Sequence, residues 1–211
     1  MISNPLINKA IGALFLGAIL FYATGNAFLE SALNAPDFPA RLPQQGAWLS
    51  AGGLLIFLNS AAVAAIGVLM AQIIPPEYAL TARFYLVSRL TEAVLLLFGV
   101  LVLLGGLAVA RRHGGDPAMV QPLVEFARTT HFYAYQSAML TLGIGSTGLC
   151  YILLKGALIP RYLAWWGLAG YAIFSVGAVL EFWDIKAGLI LSIPGGLFEL
   201  FFGGWWLFKK S

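Results

Sequence analysis

The chain has 211 residues, 60% of them hydrophobic and only 10% charged, with a formal net charge of +3 and a mean hydropathy of +0.86. Soluble domains carry about 25% charged residues, so this composition excludes a water-solvated globular fold and makes lipid the solvent for most of the surface. The positive excess does not imply nucleic acid, because the basic residues are scattered at the ends of apolar runs, where phosphate headgroups would meet them.

Charge-free runs occur at 10–29, 42–76, 93–110, 129–154 and 162–180, and a sixth at 187–208 is interrupted only by Glu199. Each reaches or approaches the roughly 20 residues that cross a bilayer, and each must be helical, because an open strand would leave backbone groups unpaired in hydrocarbon. The expected fold is all-α: an integral membrane bundle of six transmembrane helices in a single domain, 1–211. The helices are placed at about 10–29, 48–74, 84–110, 131–154, 162–182 and 187–208.

Helix 1 has a small-x-small spacing at Gly25 and Ala27, but Lys9 alone precedes it and its apolar stretch exceeds the roughly 7–15 residues of a signal peptide. It is read as retained. Pro36, Pro39 and Pro43 punctuate the next connection, and Pro75 and Pro76 stop helix 2. Small residues four apart predict packing seams at Ala13/Gly17 on helix 1 and at Ser60/Ala64 and Gly67/Ala71 on helix 2, with Gly99 on helix 3. After the break at His113-Gly-Gly-Asp-Pro117, Met119 to Arg128 reads as a short amphipathic helix along the interface. Trp48, Trp165, Trp166, Trp183, Trp205 and Trp206 all fall near span ends, as an aromatic belt requires.

An even number of spans puts both termini on one face. That face carries Lys9, Arg83, Lys155, Arg161, Lys209 and Lys210, against Arg41, Arg111, Arg112, Arg128 and Lys186 on the other. Six basic residues to five place the termini in the cytoplasm under the positive-inside rule.

Three charged residues fall inside the spans: Arg89, Glu92 and Glu199. A charge in hydrocarbon costs about 2.5–3.5 kcal/mol on insertion scales, which makes these residues candidates for function. Arg89 and Glu92, three apart, share a helix face and can pair. Glu199 lies at a comparable depth, so a cluster between helices 3 and 6 is expected, with Asn59 and Ser60 of helix 2 nearby. One guanidinium and two carboxylates leave a surplus negative charge unless a carboxyl keeps its proton. Such a site would relay protons or hold a ligand. The bland alternative starts helix 3 near Ala93 and lets Arg89 and Glu92 snorkel to the interface.

Pro194-Gly195-Gly196 precedes Glu199 and marks a hinge, read either as a broken helix, as in transporter binding sites, or as a packing kink, the commoner case. His131, Tyr135 and Gln136 at the start of helix 4 face inward near the opposite surface, where Glu181 and Asp184 at the end of helix 5 also lie. The group reads as an ordinary wet helix start or, alternatively, as a proton or ligand entrance. With one cysteine, Cys150, and two histidines, no protein-only metal site and no cofactor is expected. Haem ligation by His131 would need a second axial residue at its depth, and His113 lies in a loop.

Several motifs carry a family resemblance: Arg89-Leu-Thr-Glu92; Leu153 through Lys155, Pro160-Arg161, Trp165-Trp166-Gly167 and Gly170; Ile193-Pro194; Glu199; and Trp206 to Lys209. In order and spacing they resemble an uncharacterised bacterial six-helix membrane family, the domain of unknown function numbered 4386, over about residues 50–210. The resemblance implies six helices, a bacterial inner-membrane location and a Pro160-Arg161 hinge before helix 5, but no established activity. The chain departs from the pattern with Lys155-Gly156 where Arg-Ser is usual, and with Phe198 where an asparagine precedes the glutamate.

The expected function is therefore a polytopic protein with an intramembrane Arg/Glu site that binds or transports a small or lipid-like ligand, or relays protons. Its partners are membrane lipids and that ligand. Two alternatives stay open: a structural protein whose charges only lock helices together, and a lipid-modifying intramembrane enzyme using Glu199 and His131 as acid and base. No signature of a known reaction is present.

Overall fold

A computed structural model of the chain describes residues 5–34, 38, 44–112 and 117–209. Among these, six helices are long and apolar enough to cross a membrane: α1 (Pro5–Leu33), α2 (Gly46–Ile73), α3 (Ala79–Arg112), α4 (Pro117–Lys155), α5 (Arg161–Glu181) and α6 (Gly188–Phe208). A single 3-10 turn, Pro76–Tyr78, joins α2 to α3. Pro36, Pro39, Pro43 and residues 113–116 lie outside the described residues.

The helices overrun the charge-free runs because a helix need not stop where it leaves hydrocarbon. At 34 and 39 residues, α3 and α4 are about 50 and 60 Å long, well beyond a 30 Å bilayer core. The stretch expected to form a separate interfacial helix is the first part of α4, continuous through Pro122. Val120, Val124 and Ala127 are buried, and a Cβ added at Gly106 of α3 would stand 2.7 Å from that of Ala127. The apolar face is spent on α3 rather than on lipid.

Each helix packs on its neighbours in sequence, and α6 returns against α1, closing a ring. Small residues set the tightest crossings. A Cβ at Gly25 would lie 3.0 Å from the Gly52 carbonyl oxygen, and one at Gly170 would lie 3.2 Å from that of Pro194. Ring closure depends on Gly12, where a Cβ would sit 2.5 Å from the Leu207 nitrogen and 2.6 Å from the Gly203 oxygen. Gly67 and Gly99 are seams, against Arg89 and against Ala134 and His131 respectively. The expected Ala13/Gly17 seam is not one: Ala13 is exposed, and a Cβ at Gly17 would meet only Phe21 of its own helix.

The surface is apolar all round, with Leu20, Phe57, Val94, Phe98, Ile144, Val176 and Phe201 exposed. The polar residues Asn59, Ser88, Arg89, Glu92 and Ser146 are buried inside the ring. This reversal of the soluble pattern is what a lipid solvent demands. Trp48, Trp165 and Trp183 are exposed near helix ends, in keeping with a belt. Adjacent residues diverge by about 100° on a helix, so their neighbours do not follow. Trp206 is buried, and Trp166 donates its Nε1–H to the Pro194 carbonyl at 3.1 Å. Lys209 lies over the Trp205 and Trp206 rings at 4.6 and 4.9 Å.

Helices α4 and α5 end alike. After α4, the Ala157 and Leu158 amides donate to the Leu154 and Leu153 carbonyls, and after α5 the Asp184 and Ile185 amides donate to Glu181 and Leu180. Both are Schellman caps, with the left-handed position taken by Ala157 (φ 49°) and Asp184 (φ 58°) in place of the usual glycine. Ala157→Gly is expected to stabilise the protein by about 0.5–1 kcal/mol, since relief of the Cβ clash, about 1–2 kcal/mol, outweighs the extra backbone entropy that glycine loses on folding. The check is a higher unfolding midpoint in detergent. The predicted hinge then begins α5: the Pro160 carbonyl accepts from the Leu163 and Ala164 amides, Ile159 is buried, and Arg161 is exposed.

Candidate functional site: a polar chamber inside the ring

The centre of α3 turns Arg89 and Glu92 inward, at 2% and 3% exposure. Snorkelling is therefore excluded. The Arg89 Nη1 and Glu92 Oε2 atoms are 2.9 Å apart, but their angled approach leaves neither with a well-formed hydrogen bond, and Arg89 Nε has no acceptor among the described residues. The guanidinium carbon is 5.9 Å from the centroids of both Phe15 and Tyr85, within cation–π range.

Across the ring, α6 presents Glu199. The helix is continuous through Pro194, so of the two readings of that motif the broken helix is absent. Proline removes one backbone donor, and the Pro194 carbonyl is held by Trp166. Glu199 Oε1 accepts a 2.8 Å hydrogen bond from the Tyr171 hydroxyl of α5. Arg89 lies in the field of both carboxylates, yet Glu92 is its partner at ion-pair distance among the described residues. Helices α3 and α6 do not pack on one another as expected. They stand on opposite sides of the ring, because chain order and ring order coincide.

The space between them is a cavity of about 210 Å³ lined by Arg89, Glu92, Glu199, Asn59, Tyr171 and Ser192, with residues from all six helices. Towards the face bearing the termini, buried Phe15, Tyr85, Phe198, Phe202 and Trp206 fill the ring. Phe15 meets Phe202 edge-on at 5.2 Å, and Phe198 stacks on Phe202 at 5.1 Å. Towards the other face the rings of Tyr22 and Tyr135 stack at 5.5 Å and 15°. Beyond them opens a mouth of about 600 Å³ lined by Glu30, Arg128, His131 and Gln136 among others. The chamber is thus plugged at one end and lightly covered at the other.

His131 is half-buried at that mouth, packed against Gly99, and does not line the chamber that holds Glu199. The acid–base pair of the enzyme reading is therefore divided between two cavities. Glu181 is engaged in structure, its Oε1 accepting the Gly188 amide at 2.7 Å and capping α6. Arg128 caps α1 by donating to the Leu33 carbonyl and to Asn34 Oδ1. Ser60 is buried without lining the chamber. Sequence reasoning did not single out Tyr171, Tyr22 or Ser192. A tyrosine in mid-span must place its hydroxyl on an acceptor, and that signal could have flagged Tyr171. Among the described residues no group of three His, Cys, Asp or Glu side chains could hold a metal ion.

The family described as Domain of unknown function (DUF4386) matches residues 10–209. The chain belongs to this family. No curated protein and no solved structure matches it. Phe198, where the resemblance has asparagine, is turned into the aromatic plug against Tyr171 and Phe202 rather than into the chamber. The chamber thus has its polar groups without that amide.

Proposed function

We propose that this multi-span membrane protein binds and transports a small ligand through the chamber between α3 and α6, with Glu199 as the proton-carrying group. The observation that carries the reading is the cavity of about 210 Å³ where Arg89, Glu92, Glu199 and Asn59 meet. Polar residues are costly in hydrocarbon unless they serve such a space. The unequal closure of the two ends, an aromatic plug towards the termini and a thinner Tyr22/Tyr135 cover towards the mouth, supports transport, since alternating access requires the two faces to be closed differently. Under the family resemblance the membrane is the bacterial inner membrane. With cytoplasmic termini, the mouth would face outward.

The reading in which charges merely lock helices is less well supported, because the close ion pair lies within α3 alone. An accessibility experiment tests the proposal. In a Cys150→Ala background, Asn59→Cys and Ser192→Cys are expected to react with a small charged thiol reagent in membranes. Val176→Cys, on the lipid-facing surface, is expected to stay unmodified. If both chamber cysteines resist while the protein inserts normally, the chamber is not a solvent-connected site and the proposal fails.

A further inference from the structure

Resting on that reading, the geometry points to a protonated amine with a compact aromatic or apolar body as the ligand class of the chamber.

The charges are unequally matched. Arg89 is met by Glu92 at 2.9 Å. Glu199 has no cation at ion-pair distance among the described residues, and Tyr171 occupies only one of its two oxygens. An arriving anion would face two carboxylates and a guanidinium already engaged. An arriving ammonium finds one unbalanced carboxylate, half-buried in the chamber wall, where attraction is stronger than between charges in bulk water.

A second, independent feature is Asn59. It is 3% exposed and lines the same chamber. A buried side-chain amide is costly unless its polar atoms are met, by protein or by what occupies the cavity. Its carbonyl oxygen supplies the second acceptor that an ammonium with several N–H donors needs.

The path inward has the same character. Tyr22, Tyr135 and Phe174 line the chamber on the open side, offering π-faces that attract cations and stack on aromatic bodies. Glu30 stands at the mouth. The cation there, Arg128, is tied to the Leu33 carbonyl and Asn34.

The test uses full-length protein in lipid nanodiscs and three ligands sharing one aromatic body: phenethylamine, 2-phenylethanol and 3-phenylpropionate. Calorimetric titration at neutral pH, where an alkyl amine is charged, is expected to give saturable amine binding at least tenfold tighter than the alcohol, with the propionate weakest. Glu199→Gln, which keeps shape and removes charge, is expected to lower the amine to the alcohol's affinity without lowering the unfolding temperature. Binding of the propionate as tight as the amine overturns the assignment, as does an amine preference that survives Glu199→Gln. The head-group series on the unaltered protein decides the matter even if that variant fails to fold. If none of the three ligands binds, or all bind alike, while Ser192→Cys is labelled, the amine assignment falls and the chamber reading stands. If the chamber cysteines are also inert, both fall.

Discussion

Arg89→Leu is expected to destabilise the protein by about 3–5 kcal/mol, the cost of leaving a buried charge without its partner. The stranded group is Glu92, 3% exposed and 2.9 Å from the guanidinium. Adding Glu92→Leu is expected to restore most of the loss, because two apolar side chains leave no charge to solvate. Adding Glu199→Leu instead is expected to restore much less, since Glu199 lies across the ring and is held by Tyr171. Unfolding of the unaltered protein, the three single variants and the two double variants in bicelles, read as two double-mutant cycles, measures these couplings. Better rescue by Glu199→Leu would revive the view that the charges tie α3 to α6. It would also remove the basis for treating Glu199 as the unbalanced carboxylate.

Gly12→Ala is expected to cost about 2 kcal/mol net, although alanine gains about 1 kcal/mol over glycine in helix propensity. The added methyl would stand 2.5 Å from the Leu207 nitrogen and 2.6 Å from the Gly203 oxygen. Backbone cannot rotate away as a side chain can, so α1 and α6 must separate, and the ring opens where it closes on itself. Gly17→Ala, five positions on, meets only Phe21 at 3.7 Å and is expected to be stabilising by up to about 1 kcal/mol. Opposite signs at these two sites, measured as unfolding midpoints, would support the ring closure. A neutral or stabilising Gly12→Ala would contradict it.

Both effects follow from a protein turned inside out. Apolar side chains meet lipid, so the hydrophobic effect contributes little to holding one helix on the next, and close backbone contact must serve in its place. Glycine is therefore most sensitive to change where helices touch. The ionisable groups inside the ring, Arg89, Glu92 and Glu199, gather instead at the chamber.

The six spans were legible in the residues alone because apolar length and sparse charge are local properties, and lipid permits only one backbone solution to them. The candidacy of Arg89, Glu92 and Glu199 was legible for the same reason: a charge in a span stands out without any knowledge of its neighbours. Ring order was not. A small residue every four positions occurs on several faces of these helices, so Ala13/Gly17 and the true contact at Gly12 look alike until the helices are placed. Nor could Glu92 and Glu199 be told apart as partners for Arg89. That distinction depends on α6 closing against α1 rather than against α3. The chemistry of each span is written along the chain; which groups share a cavity depends on the azimuth and neighbour of each helix, and only packing of the whole bundle sets those.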